Sequence, residues 1–331
     1  MEKTTVGELI DGMLERHGFE TLNGVEVLPS NPEGIRLYSM DKKGKMRLAP
    51  PSQFSRHKVS KDIFEITART GRRIKVTGDH SLFGLIDNKI SPVKCNELHK
   101  GSYVATPRAI PWEMGGINEL NLLDYPDVFE KGYVSGKHVK EFISNNFARV
   151  RNAAKSHAYS SSIVSAWKRN AVLPLKIFKA FRSEINQENI LLKADKKSKL
   201  IPASVKVDEN FLQIAGLWLA DGSYDGKYGV IISTPDCSVQ ISQFAAKLGL
   251  NARKHSDGIS YILSNTTLNL FFRKVLGLEG NAYTKNFPKW TYNLSKPQLA
   301  HVIKGLLSGD GCVSKSEIVI ALCSKSLIES L

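Results

Sequence analysis

No stretch of this 331-residue chain approaches the roughly 20 consecutive apolar residues that a membrane-spanning helix needs, so no membrane span is expected. A charged-then-apolar leader is also missing at the start, which points to the cytoplasm. Cysteine is scarce. Cys95, Cys237, Cys312 and Cys323 are scattered without metal-ligand spacing, so reduced structural thiols are expected rather than a zinc site or a disulfide framework. Acid is short as well: 32 Asp and Glu face 46 Lys and Arg, for a net charge of +14. Such a balance favours a polyanionic partner, nucleic acid first. Hydrophobic residues make up 42% of the chain, too many for a disordered protein, and the length allows two or more domains with cores of their own.

What is present centres on residues 214–222, Ile-Ala-Gly-Leu-Trp-Leu-Ala-Asp-Gly, and on an echo at 303–311, Ile-Lys-Gly-Leu-Leu-Ser-Gly-Asp-Gly. Each copy is preceded by a helix start. Asp208 can cap the first, and Ser295 with Gln298 forms a capping box for the second, with Pro297 tolerated in the first turn. Phe211, Leu212, Ile214, Leu217, Trp218 and Leu219 cover nearly the whole circumference, so the first helix should be buried all round. Gly216 and Ala220, like Gly305 and Gly309, lie four apart on one face, where small residues let two backbones approach. Gly222 and Gly311 are then expected to leave the helix at positive φ. A carboxylate at a helix C-terminus meets the negative end of the dipole. Packed as a pair, the helices would set Asp221 beside Asp310, and two such carboxylates call for a divalent cation.

These two nonapeptides resemble the paired LAGLIDADG motifs of homing endonucleases, with Trp218 and Leu219 standing where that family has Ile-Asp. The resemblance implies that Asp221 and Asp310, with the backbone carbonyls of Ala220 and Gly309, hold Mg²⁺ or alternatively Mn²⁺. It implies hydrolysis of both strands of double-stranded DNA. Lys285, in Thr284-Lys285-Asn286-Phe287-Pro288, matches the family's lysine-containing block and is expected near the scissile phosphate. A saddle-like sheet would read bases in the major groove, with Lys227, Arg253 and Lys254 available for contact. Residues 206–331 are expected to form this αββαββα domain with its second half incomplete, a monomer with pseudo-twofold symmetry when whole.

Nearer the start, Thr5 and Glu8 make a capping box for a helix over 6–17. Strand-like runs follow at 34–40 and 46–48, and a hairpin over 63–68 and 72–76 precedes Thr77-Gly78-Asp79-His80. Another short strand is expected at 102–105. The stretch 56–83, together with 6–12 and 104–108, resembles the splicing (Hint) domain of inteins, most like those of archaeal DNA polymerases. That resemblance implies an all-β domain over 1–110 in which Thr77 and His80 hydrogen-bond the peptide to be broken, the imidazole serving as the positioned acid. It also implies a partner, the flanking extein segments of a host protein such as a DNA polymerase. Splicing needs an opening Cys or Ser and a closing His-Asn, whereas this chain opens Met1-Glu2-Lys3 and stops at Leu331, so this polypeptide alone is not expected to splice.

Between these lies 111–205. Residues 112–123 read as a linker with Gly115-Gly116. Helices are expected over 137–150, 160–170 and 174–181. The segment 159–169 looks like the recognition helix of a helix-turn-helix, with Ile163, Val164 and Trp167 towards the core, and Arg149, Arg151, Lys155, Lys168 and Arg169 able to reach phosphates. The whole is therefore expected to be an α+β multidomain protein: a splicing domain, a helical DNA-recognition insert and a metal-dependent endonuclease. Two alternatives stay open, a DNA-binding protein of the same scaffold without catalysis and one piece of a split intein.

Overall fold

The structure, a computed structural model, describes residues 4–41, 43–112 and 114–331. Backbone contacts divide the chain into two units, one ending at residue 113 and the other running Met114–Leu331.

In the first unit the capping box of Thr5 and Glu8 starts the helix Val6–His17, as the sequence predicts. Its apolar face buries Met13 and Leu14 with Leu28 and Phe54 against a three-stranded sheet of Glu20–Leu22, Val25–Leu28 and Phe54–Arg56. Three hairpins complete the unit: Leu37–Met40 with Met46–Ala49, Ile63–Thr67 with Arg73–Thr77, and Ser81–Ile86 with Lys89–Lys94. The strand expected at 102–105 reduces to a single bridge between Gly84 and Val104.

One hydrophobic core runs through the second unit from Leu122 to Leu327. Residues 117–123 are part of its framework, not a linker. Glu119–Asn121 pairs with Ser204–Lys206, Leu122 and Leu123 are buried, and the Gln298 side chain bonds both the N–H and the C=O of Ile117. The helix expected over 137–150 breaks at Asn146 into Lys137–Asn145 and Phe147–Ser156. A four-stranded sheet of Val172–Pro174, Tyr133–Ser135, Leu191–Lys193 and Ile201–Pro202 backs these helices. Its strands are too short for a period-two signal.

The two motif helices, Glu209–Asp221 and Lys296–Asp310, pack along each other at backbone distance. A Cβ placed on Gly216 would collide with the Val302 carbonyl and stand 3.0 Å from the Gly305 Cα; one on Gly305 would collide with the Gln213 carbonyl. Gly222 and Gly311 do not leave at positive φ. Their φ values are −81° and −103°, and glycine is needed there because a Cβ would strike the Trp218 ring and the Leu307 carbonyl respectively. After the first helix, Gly222–Asp225, Gly229–Ser233, Ser260–Ser264 and Ala252–Lys254 form an antiparallel sheet in that spatial order. After the second, Gly311–Val313 pairs with Ile318–Ile320, and the helix Lys325–Ser330 follows. Among the described residues no helix is long and apolar enough to cross a membrane.

Candidate functional site

Because the helices touch at Gly216, Gly305 and Gly309, their last turns end side by side and bring Asp221 and Asp310 together. Asp310 is half-buried and Asp221 exposed. Burial first, then the charge of Asp221, holds the Asp310 carboxyl above the usual carboxylate range; Lys285 pulls the other way, and a hydrogen bond to Asp221 adds to the rise. Two crowded hard-oxygen donors suit a divalent cation. Mg²⁺ in particular takes one or two carboxylates and fills its remaining positions with water and substrate oxygens. Among the described residues no cluster of three or more His, Cys, Asp and Glu gathers, so the donors available here are this pair and nearby carbonyls.

Lys285 does not face outward toward a phosphate. It is 3% exposed, and its Nζ donates to the carbonyls of Trp218 at 2.9 Å and Ala220 at 2.8 Å, over the Trp218 ring at 4.8 Å. Those carbonyls belong to the unsatisfied last turn of the first motif helix, where a cation is favoured. Ala220, expected as a metal ligand, thus already accepts from an ammonium. Burial lowers the Lys285 pKa to about 8, against the opposing pull of Asp221 and Asp310. The Ser324 and Ser326 hydroxyls both donate to the Lys285 carbonyl and fix this segment. Sequence reasoning missed the contributions of Trp218, Ser324 and Ser326. Trp218 departs from the motif, which was a signal, whereas the two serines gave none.

In the first unit Thr77 and His80 share one tight turn, with the His80 N–H donating to the Thr77 carbonyl at 3.1 Å. Cys95 N–H donates to the His80 carbonyl and Asn96 N–H to that of Gly78, which pins the turn to the following segment. His80 is exposed and Thr77 half-buried. Asp79 accepts from Lys61 at 2.8 Å; that bond, then one from the Thr77 hydroxyl, keeps its carboxyl far below the usual range. The intein splicing domain family matches residues 1–303 of this sequence.

The chain belongs to the intein splicing domain family.

Intein splicing is autocatalytic protein processing. Over 329 residues this intein is 28% identical to the DNA-directed RNA polymerase subunit Rpo1C of Methanocaldococcus jannaschii, a match covering 97% of this chain and 31% of that protein. A DNA polymerase of Thermococcus hydrothermalis is 33% identical over 121 residues, 36% of this chain and 7% of the polymerase. The crystal structure of the transcription factor IIB Mvu mini-intein aligns at 28% identity with a TM-score of 0.30, over 33% of this chain and 60% of that one. The intein thus spans about a third or less of these two polymerase relatives. The expectation about an opening nucleophile falls on Met1, Glu2 and Lys3, outside the described residues.

The intein's basic candidates divide sharply. Arg149 is held by Glu184 in a bidentate pair at 2.7 and 2.8 Å and lies over Phe181. Arg151, Lys155, Lys168 and Arg169 are exposed. In the four-stranded sheet, Arg253 pairs with Ile262 and Lys254 with Tyr261. Neighbouring strand residues point to opposite faces, so these two cannot serve one surface. Arg253 shares its face with Ile231, Ser223, Ser233 and Ser260, the face turned from Val230 and Leu263. Lys227 lies in the turn before Gly229–Ser233, over the Tyr228 ring.

Proposed function

We propose that this intein carries a LAGLIDADG-type endonuclease in its second unit and that its substrate is double-stranded DNA. The observation that carries this reading is the crowding of Asp221 against Asp310 at two adjoining helix ends. Asp221 and Asp310 would hold Mg²⁺, with Mn²⁺ as the alternative, and the Gly309 carbonyl lies within the same turn. A bound divalent ion supplies Lewis acidity and an acidified water for phosphodiester hydrolysis. The protein's own part is to fix the two acids by packing and to neutralise the helix end with Lys285. Duplex DNA would lie on the Arg253 face of the sheet, where the exposed Ser223 and Arg253 can bond phosphates or base edges. Asp221→Asn and Asp310→Asn, tested separately, should each abolish magnesium-dependent nicking while DNA affinity changes less than about threefold. Cleavage surviving in either variant places the ion elsewhere.

For the first unit we infer peptide-bond chemistry at the Thr77–His80 turn, acting on the junction with a host segment such as part of a DNA polymerase. A pinned turn presenting an exposed imidazole supports this. His80 would donate a proton to the amide nitrogen as a thiol or hydroxyl at the junction attacks the carbonyl carbon, gives up its own proton and takes over the acyl group, and Thr77 with Asp79 would set the turn's shape. In a precursor carrying host sequence on both sides, His80→Ala should slow cleavage at the leading junction by about 10²-fold or more. An unchanged rate, followed by gel and mass spectrometry, removes His80 from the mechanism.

A further inference from the structure

The hairpin of Ile63–Thr67 and Arg73–Thr77 runs straight into the turn that carries Thr77 and His80, and its two faces differ. Phe64 opposite Val76 and Ile66 opposite Ile74 make one face apolar. Ile63 opposite Thr77, Glu65 opposite Lys75 and Thr67 opposite Arg73 make the other largely polar. On the apolar side the turn is held by packing: a Cβ on Gly78 would stand 3.0 Å from the Phe64 ring and 3.3 Å from the Asn96 Cβ. On the polar side it is held by charge. Lys61, two residues before Ile63, reaches Asp79, two residues after Thr77, with its Nζ donating to Oδ2 at 2.8 Å. Asp79 also accepts from the Thr77 hydroxyl.

That last bond decides what Thr77 can offer. A threonine hydroxyl has one proton to give and two lone pairs. With the proton committed to Asp79, Thr77 meets a junction peptide as an acceptor, suited to the peptide's N–H and not to its carbonyl. The commitment lasts only while Asp79 is ionised. A carboxylate only accepts, whereas a carboxylic acid can donate and would turn the Thr77 proton outward. Lys61 faces Asp79 from the segment leading into the other strand, and His80 follows Asp79 within the turn. Two further cations of the polar face, Arg73 and Lys75, are directed to Glu65 farther along the hairpin.

We propose that Lys61 is a positioning residue for the reaction at the leading junction. Through Asp79 it sets the Thr77 hydroxyl to accept the N–H of the junction peptide, which leaves the lone pair of that nitrogen to be protonated by His80. The assignment deepens the reading of Thr77 and His80 given above and rests on it.

The test uses a precursor with host sequence on both sides, its leading-junction cleavage followed by gel and mass spectrometry across a pH series. Both ends of the Lys61–Asp79 pair are exposed, and such a pair contributes little to stability, so Lys61→Met should leave the fold intact. It should slow cleavage about threefold near neutral pH and add an acid limb near about pH 4, the ordinary aspartate range, that the parent lacks. Lys61→Arg, which keeps the charge, should restore the rate and remove the limb. Asp79→Asn should be slow without any such limb and should lose nothing more when Lys61→Met is added. Lys75→Met, which removes the same charge from the same face, should match the parent. A parent-like rate and profile in Lys61→Met, or a loss that adds to that of Asp79→Asn, overturns the proposal; the reading of the turn stands if Thr77→Val and His80→Ala are still slow. Cleavage at the parent rate in those two variants overturns both.

Discussion

Lys285 carries more of this molecule's chemistry than its place in a surface-like segment implies. The flanking Thr284 to Pro288 pattern locates it near the motif helices, but nothing in the sequence says where its ammonium points. That direction depends on two carbonyls 65 and 67 residues away and on an indole, all fixed only once the helices cross. Burial lowers its pKa to about 8 from an ordinary 10.5. Since the folded-state value is the lower one, the charged form costs stability, and the cost is relieved as pH rises. This group's contribution is complete above about 10.5 and is lost as pH falls through about 8. The unfolding free energy of the parent, measured by urea titration, should therefore climb relative to Lys285→Met between those values. Parallel curves would mean that the ammonium is better solvated than its surroundings imply. The meeting of Asp221 with Asp310 and the turn that holds Thr77 and His80 were legible as geometry, because each closes or opens a recognisable local pattern. Arg149 misled for the opposite reason: an exposed arginine looks the same in sequence whether or not a glutamate 35 residues on has claimed it.

At the scale of elements, caps and small-residue spacing were the readable signals. The boxes at Thr5 and Ser295 and the Asp208 cap all form, because each is a contact within four residues and needs no tertiary partner. The short strands Tyr133–Ser135, Val172–Pro174 and Leu191–Lys193 went unread, since three residues cannot display an alternation. The break at Asn146 was likewise hidden, as apolar spacing continues across it. Gly222 shows a subtler gap. Its type was predictable, but the cause is a tryptophan ring one turn back rather than backbone handedness. The helix crossing gives a quantitative expectation. Gly216→Ala must separate two backbones and should cost about 3 kcal/mol, the upper end of the range for overpacked sites. Gly7→Ala, on the exposed side of the helix Val6–His17 with open space around it, should instead gain about 0.5–1 kcal/mol. Denaturant midpoints at unchanged slope would read both, and a tolerated alanine at 216 would contradict the close approach.

Across the whole molecule, the two units differ in how they are held. The first rests on a small cluster around Met13, Leu14, Leu28 and Phe54, and its hairpins leave Ile63, Ile74, Phe83, Leu85, Ile86 and Ile90 exposed. The second shares one core from Leu122 to Leu327, so the helical region and the motif helices unfold and fold as partners. The excess of positive charge was visible at once. Which cations remain available was not, because pairing is decided by chain segments that meet only after folding.

The carboxamide of Gln298 closes the capping box of the second motif helix and also grips Ile117, 181 residues earlier, by both of its peptide groups. During synthesis the ribosome must therefore deliver the segment around 117 long before its latch exists, an interval of roughly 10–40 s at ordinary elongation rates. Until residue 298 emerges, that early stretch waits with its hydrogen bonds turned to water, and the contact can lock only once the second motif helix has begun to form.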